Sequence, residues 1–208
     1  MKREHNTNDT TIEPTLWCKF NGNLNDDSPN HYTPYLLFNS QLSYYNNQAI
    51  IGAANKCVGY TMDKFSSGDF SYWSRIYRTS NVATAFLFTS EGYMVNGDYP
   101  TVNCMFDNNG SLSLMTRLVS RGANYFVWNM LTVPLNEWHD VLLVRKNGFV
   151  NAYLDGVLQT SQAFSYGMFT ENQMWLNIGN SRSYQYGNRY FRGYIDEIKY
   201  WHNTAIML

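Results

Sequence analysis

The six residues Arg145-Lys146-Asn147-Gly148-Phe149-Val150 constrain this 208-residue chain more than any other stretch. Asn and Gly take a positive φ at least cost, and a two-residue type I′ hairpin turn needs that conformation at both central positions. Such a turn fixes register: Lys146 falls opposite Phe149, Arg145 opposite Val150, Leu143 opposite Ala152 and Val141 opposite Leu154. Paired residues share a face, so Val141, Leu143, Val150, Ala152 and Leu154 form an apolar one. The reverse face, Leu142, Val144, Phe149, Asn151 and Tyr153, is apolar enough to be covered and polar enough to be wet, and the sequence leaves both open. A second turn follows at Asp155-Gly156, then a loop over 159–173. Asn109-Gly110 marks another hairpin, joining 101–106 to 111–118.

The rest of the chain has the same texture: short β-rich runs bounded by Asn, Gly, Asp and Ser, without a helical period longer than about two turns. Strands are expected at 16–20, 36–38, 48–51, 56–60, 69–78, 84–89, 101–106, 111–118, 125–128, 139–146, 149–154, 175–178 and 191–201. That number and spacing point to an all-β sandwich or barrel. The length suits one large sandwich, and nothing in the middle reads as a linker. Residues 1–14 are polar and aperiodic, which makes them an N-terminal arm ahead of a domain over 15–208.

Apolar residues make up 44% of the chain and charged ones only 15%, so solubility rests on Asn, Ser, Thr and Tyr. A net charge of -1 supplies no broad attraction to phosphate backbones or anionic lipid, and no nucleic-acid partner is expected. No run approaches the roughly 18 apolar residues of a membrane helix, and the polar start has no apolar segment behind it. Neither membrane insertion nor a signal peptide is expected. Cys18, Cys57 and Cys104 are odd in number and far apart, a pattern that fits buried free thiols better than a metal site or disulfide framework.

Four blocks, in order, resemble the laminin-G-like, concanavalin A-like lectin-glucanase domain family. Leu16-Trp17-Cys18-Lys19-Phe20 and the oxygen-rich segment Asn21 to Ser28 are similar to its opening strand and loop. Asp69-Phe70-Ser71-Tyr72-Trp73 follows. Glu137-Trp138-His139-Asp140-Val141 through Ala152-Tyr153-Leu154-Asp155-Gly156 resembles its "W-x-x-V…Y-x-D-G" hairpin. Leu176-Asn177-Ile178-Gly179 with Phe191-Arg192-Gly193-Tyr194-Ile195-Asp196-Glu197-Ile198 resembles its closing "IG…F-x-G-x-I-D-E" segment. The resemblance covers residue 16 to about 203. It implies a pentraxin-like jelly roll, two packed antiparallel sheets with first and last strands adjacent. Relatives of this kind often hold a structural Ca2+ ion between the loop after the first strand and the closing strand, for which Asp26, Asp27 and Asp196 are the candidate oxygen donors. The same Asn, Gly, Asp and Ser residues also read as turn builders, and no cofactor is required.

The fold itself delivers no function, so the site is argued from residues. Glycosidases of this superfamily resemble one another in an E-x-D-x-x-E strand, which the chain lacks. Asp196 and Glu197 are adjacent, and a regular strand points them to opposite faces. No nucleophile or metalloprotease motif is present, and His139 reads as a strand residue. The expectation is therefore a protein that is not an enzyme. Sugar recognition combines aromatic faces with planar amides and guanidinium groups. The segment 180–190 carries both chemistries in Arg182, Tyr184, Tyr186 and Arg189, as an exposed protein interface also does. Trp73, Arg75 and Tyr77 share one strand face and form a second candidate.

Two functions remain open. One is a lectin-like module that binds a cell-surface glycan or receptor. The other is a component of a larger assembly, such as a phage virion decoration, fibre or tail adhesion protein, held to other chains by the arm. The second places the protein on a virion or extracellular surface after cytoplasmic synthesis.

Overall fold

The computed structural model of the chain describes residues 12–37, 42–47, 49–52, 57–62, 68–81, 85–92, 101–118, 123–164, 174–180 and 189–206. Their regular structure is all strand: β1 Leu16–Cys18, β2 Pro34–Leu37, β3 Tyr44–Tyr45, β4 Ala49–Gly52, β5 Cys57–Met62, β6 Phe70–Arg78, β7 Ala85–Gly92, β8 Thr101–Phe106, β9 Ser111–Leu118, β10 Ala123–Thr132, β11 Trp138–Lys146, β12 Phe149–Leu154, β13 Val157–Ala163, β14 Met174–Ile178 and β15 Gly193–His202. Among the described residues no helix is long and apolar enough to cross a membrane.

The strands form two antiparallel sheets. Sheet A runs β13-β12-β11-β6-β15-β4-β3, and sheet B runs β10-β9-β8-β7-β14-β5-β2. β15 shares its second edge between two partners. Gly193 to Ile195 pair with β4, while β1 lies further along, with Leu16 opposite Tyr200 and Cys18 opposite Ile198. First and last strands are thus adjacent, as the resemblance implies.

Asn147 and Gly148 take φ of 50° and 80°, and β11 pairs with β12 in the register that the turn dictates, from Lys146 opposite Phe149 to Val141 opposite Leu154. Asp155 and Gly156 repeat the turn at 50° and 81°. There the sequence expectation fails, because the chain continues as β13 where a loop is predicted. β13 is an edge strand whose residues are mostly exposed on both sides, so it lacks the apolar alternation by which strands are legible. β3 is another unpredicted strand, and β1 stops at Cys18, short of Phe20, which takes φ 52°. At Asn109-Gly110 only Gly110 turns left-handed, while Asp107 Oδ1 accepts the amides of Asn109 and Ser111, each at 2.8 Å.

Alternate residues of the two sheets meet in one core. Phe70, Tyr72, Ile76, Val141, Leu143, Ile195 and Tyr200 enter from sheet A, and Val58, Tyr60, Val102, Phe106, Leu114 and Leu176 from sheet B. Tyr72 crosses the gap to Phe88, ring centroids 4.2 Å apart. Each fully buried side chain of this size stabilises the fold by about 1.5–3 kcal/mol. All three cysteines are free and buried, and desolvation pushes the thiols of Cys18 and Cys104 far up, which removes them as nucleophiles. The reverse face of the β11-β12 hairpin is divided: Leu142 and Val144 are buried, Asn151 and Tyr153 half-buried, and Phe149 exposed. Beside Val144, Ser71 holds the C-terminal segment down. Its hydroxyl donates to Thr204 O at 2.9 Å and accepts from Ile206 N at 2.8 Å.

Arg78, at the end of β6, ties the sheets together. It is only 2% exposed, and its guanidinium donates to the carbonyls of Val133 and Gly110 and, at 2.7 Å, to Asn81 Oδ1. It also lies 4.4 Å from the Phe106 ring centroid. Burial lowers its pKa, against the opposing pull of Asp107. Replacement by Met keeps the apolar stem and strands the carbonyls, so Arg78→Met is expected to cost about 2–4 kcal/mol in urea unfolding. A loss below about 1 kcal/mol would place the sheet-to-sheet tie elsewhere.

Candidate ligand-binding face

The outward side of sheet A carries side chains in rows set by strand register. In the first row Tyr194 lies opposite Tyr77, and Tyr77 opposite Trp138. Tyr45 extends it, stacked on Tyr194 at 4.3 Å and 20°. Tyr77 meets Trp138 edge-on at 5.5 Å and Tyr194 at 5.4 Å. The second row is charged: Glu197 opposite Arg75, and Arg75 opposite Asp140. In the third, Trp17 lies opposite Lys199, Lys199 opposite Trp73, and Trp73 opposite Leu142. Lys199 Nζ sits 4.8 Å from the Trp17 ring centroid and 5.1 Å from that of Trp73. Two aromatic bands therefore flank a charged one. Trp17, Trp73, Arg75, Tyr77, Trp138, Tyr194 and Lys199 are all half-buried, stems packed and tips wet.

One backbone irregularity decides the charge of this face. Ile195 pairs with Ile76 and Glu197 with Arg75, which leaves Asp196 as the extra residue of a β-bulge. Ile195 and Ile198 both point into the core, so Asp196 and Glu197 both project outward. The expectation of opposite faces is corrected here, because it assumes an unbroken period of two. Asp196 Oδ2 lies 3.8 Å from Arg75 Nε. Glu197 Oε1 accepts from Trp17 Nε1 and lies 3.4 Å from Lys199 Nζ. Each carboxylate thus has a cation beside it, and neither occupies the apolar pocket that a general acid requires.

The residues implied as calcium donors do not fit a calcium ion. Asp26 is buried, and each of its oxygens already accepts two hydrogen bonds. Oδ1 takes Trp17 N and Ser28 N, both at 2.9 Å, and Oδ2 takes Ser28 Oγ and Tyr32 N, both at 2.8 Å. Three amide hydrogens and a hydroxyl point where a cation would need lone pairs. Asp27 pairs with Lys19 at 3.3 Å, and Asp196 with Arg75. No group of three metal-ligating side chains occurs among the described residues. Asp26 is instead the clamp that folds its loop onto β1.

Of the first sequence candidate, Arg182, Tyr184 and Tyr186 lie outside the described residues. Arg189 is exposed, and its carbonyl accepts Phe86 N at 2.9 Å. The other foot, Gly179, donates to Leu87 O and accepts from Phe191 N, both at 2.8 Å. Gly179 and Arg189 are thus tied to β7, while the β6 positions Trp73, Arg75 and Tyr77 share one face as the sequence predicts. His139 is buried in β11, its Nδ1 2.8 Å from Asp155 Oδ2, while Asp155 Oδ1 accepts Asp140 N at 2.9 Å. The Asp-Gly turn thereby locks the start of β11. Trp17, Tyr45, Trp138, Tyr194, Glu197 and Lys199 are face residues that sequence reasoning misses. Alternation flags Tyr194 as a face position, but the bulge shifts everything after it.

A family model described as the concanavalin A-like lectin/glucanases superfamily matches residues 46–205. The chain belongs to that superfamily. Among solved structures, domain 4 of the extracellular GH43 arabinanase AbnA from Geobacillus stearothermophilus, in complex with arabinotriose, is similar at 17% identity and TM-score 0.70, covering 94% of each chain. The binding domain of botulinum neurotoxin serotype D/C VPI 5993 matches at 14% identity and TM-score 0.63. A botulinum neurotoxin type C structure, whose cell entry depends on interaction with two ganglioside molecules, matches at 12% and 0.62. Both toxin matches cover 91% of this chain, which spans about half the length of theirs. A comparison with curated protein sequences finds no match. At these identities the structural likeness establishes the fold alone.

Millimolar calcium or a chelator is expected to leave the melting temperature unchanged within about 1 °C, since a ligand of the folded state alone would raise it. Asp26→Ala is expected to lower stability by about 2–4 kcal/mol through the loss of its charge-assisted hydrogen bonds. A calcium-dependent rise in melting temperature that Asp26→Ala removes would restore the metal reading.

Proposed function

We propose that the protein is a non-catalytic carbohydrate-binding domain and that sheet A's outer face is its binding surface. The observation that carries this is the pair of half-exposed aromatic bands on either side of Arg75, Asp196 and Glu197. Aromatic rings offer apolar faces to the C–H side of a pyranose or furanose, and the charged row between them offers donors and acceptors to hydroxyls. A structural neighbour in complex with arabinotriose and another tied to gangliosides support a glycan as the ligand class. Absence of catalysis is supported by the surroundings of Asp196 and Glu197, each with a cation beside it and neither in the apolar pocket of a general acid. Display on a cell or virion surface suits such a domain.

A second reading, membership of a larger assembly, has one observation in its favour. Trp201 Nε1 donates to Ile12 O at 3.0 Å and Thr15 N to Tyr200 O at 2.7 Å, so the arm departs along β15, at the margin of the same face. Residues 1–11 of that arm lie outside the described residues. Deleting them should abolish incorporation into any assembly while leaving the melting temperature of the domain intact. A deletion variant that assembles normally removes this reading.

For the carbohydrate reading, glycan-array and affinity-electrophoresis binding should fall by roughly tenfold or more in Trp73→Ala and Tyr77→Ala, the worth of one stacking aromatic. Val157→Ser, on the exposed edge strand, should bind as the parent does. Binding that survives both aromatic changes, or none to any glycan, overturns the assignment of this face.

A further inference from the structure

Resting on the carbohydrate reading above, we infer that the face selects uncharged glycans and that Asp196, the bulge residue, is the specificity-determining group that keeps acidic sugars out. Among the described residues, three cations around the aromatic bands each have an acidic neighbour: Arg75 with Asp196, Lys199 with Glu197, and Lys19 with Asp27. A fourth carboxylate, Asp140, is the cross-strand neighbour of Arg75 on its other side. Among these residues carboxylates outnumber cations by one. All three cations also lie over indole rings, Lys19 at 4.0 Å from the Trp17 centroid, Lys199 at 4.8 Å from the same one and Arg75 at 5.8 Å from that of Trp138.

A glycan carboxylate drawn to one of these cations would lie beside a protein carboxylate, a like-charge contact that disfavours binding. A hydroxyl faces no such penalty, since it donates to the acids and accepts from the guanidinium without separating the pair. Asp196 matters most because its half-buried carboxylate lies beside Arg75, 3.8 Å from Nε. The bulge adds Glu197 to the same side, which an unbroken alternation after Ile195 would have turned toward the core. The two glycan chemistries of the structural neighbours, arabinotriose without charge and gangliosides with sialic acid, are the alternatives this arrangement separates. It favours the first.

The test uses the full chain, an array of neutral oligosaccharides that includes arabinotriose, and sialyllactose and polygalacturonate as acidic probes. The parent should bind neutral members only, with affinity little changed between low salt and 0.5 M NaCl, about what screening leaves of an uncharged contact. Asp196→Asn, an isosteric change, should keep the melting temperature and raise the ratio of acidic to neutral affinity by roughly tenfold or more, in a salt-sensitive manner. Adding Arg75→Gln should abolish that gain. If the parent binds neutral and acidic glycans alike, or Asp196→Asn gains nothing, the selectivity inference falls while the carbohydrate reading stands. If no glycan binds, both fall.

Discussion

A close approach of two backbones sets the geometry on which the rest of the molecule depends. Gly193 starts β15 at φ 148°, and a β-carbon there would collide with the carbonyl oxygen of Tyr77. Because glycine has no side chain, the last strand can settle against β6 from its first residue, and its second edge is then free for β4 and β1. Every row on the outer face runs through that β6-β15 seam. The same seam delivers Ile195, Ile198 and Tyr200 to the core, so stability and the candidate binding surface are two sides of one strand.

Much of this was legible because its signals are local. A type I′ turn at Asn147-Gly148 carries its register with it, and the apolar face of that hairpin follows without further information. The Asp-Gly of the neighbouring turn is readable as a turn. Its second task, accepting the Asp140 amide and meeting His139, is not, because it joins residues whose nearness depends on the completed hairpin. β13 is illegible for the opposite reason: an edge strand open on both sides is under no pressure to alternate.

The candidate face was half readable. Trp73, Arg75 and Tyr77 alternate on one strand, and a period of two suffices to group them. Their partners come from β1, β3, β11 and β15, and only the completed sheet brings those together. The bulge is the sharper lesson. One inserted residue places two consecutive acids on the same side, which no count along the chain reveals. Asp26 shows the converse: an Asn- and Asp-rich segment that looks like a cation site uses its one buried carboxylate to hold amide hydrogens.

The adjacency of β1 and β15 has a mechanical meaning. Leu16 and Tyr200 sit at the same end of the antiparallel pair, so tension between the two ends of the domain would load its hydrogen bonds one after another, as in a zipper. Loading in series resists far less force than shearing all bonds at once. A domain built this way is mechanically strongest when it is tethered by one terminus, with the other left slack.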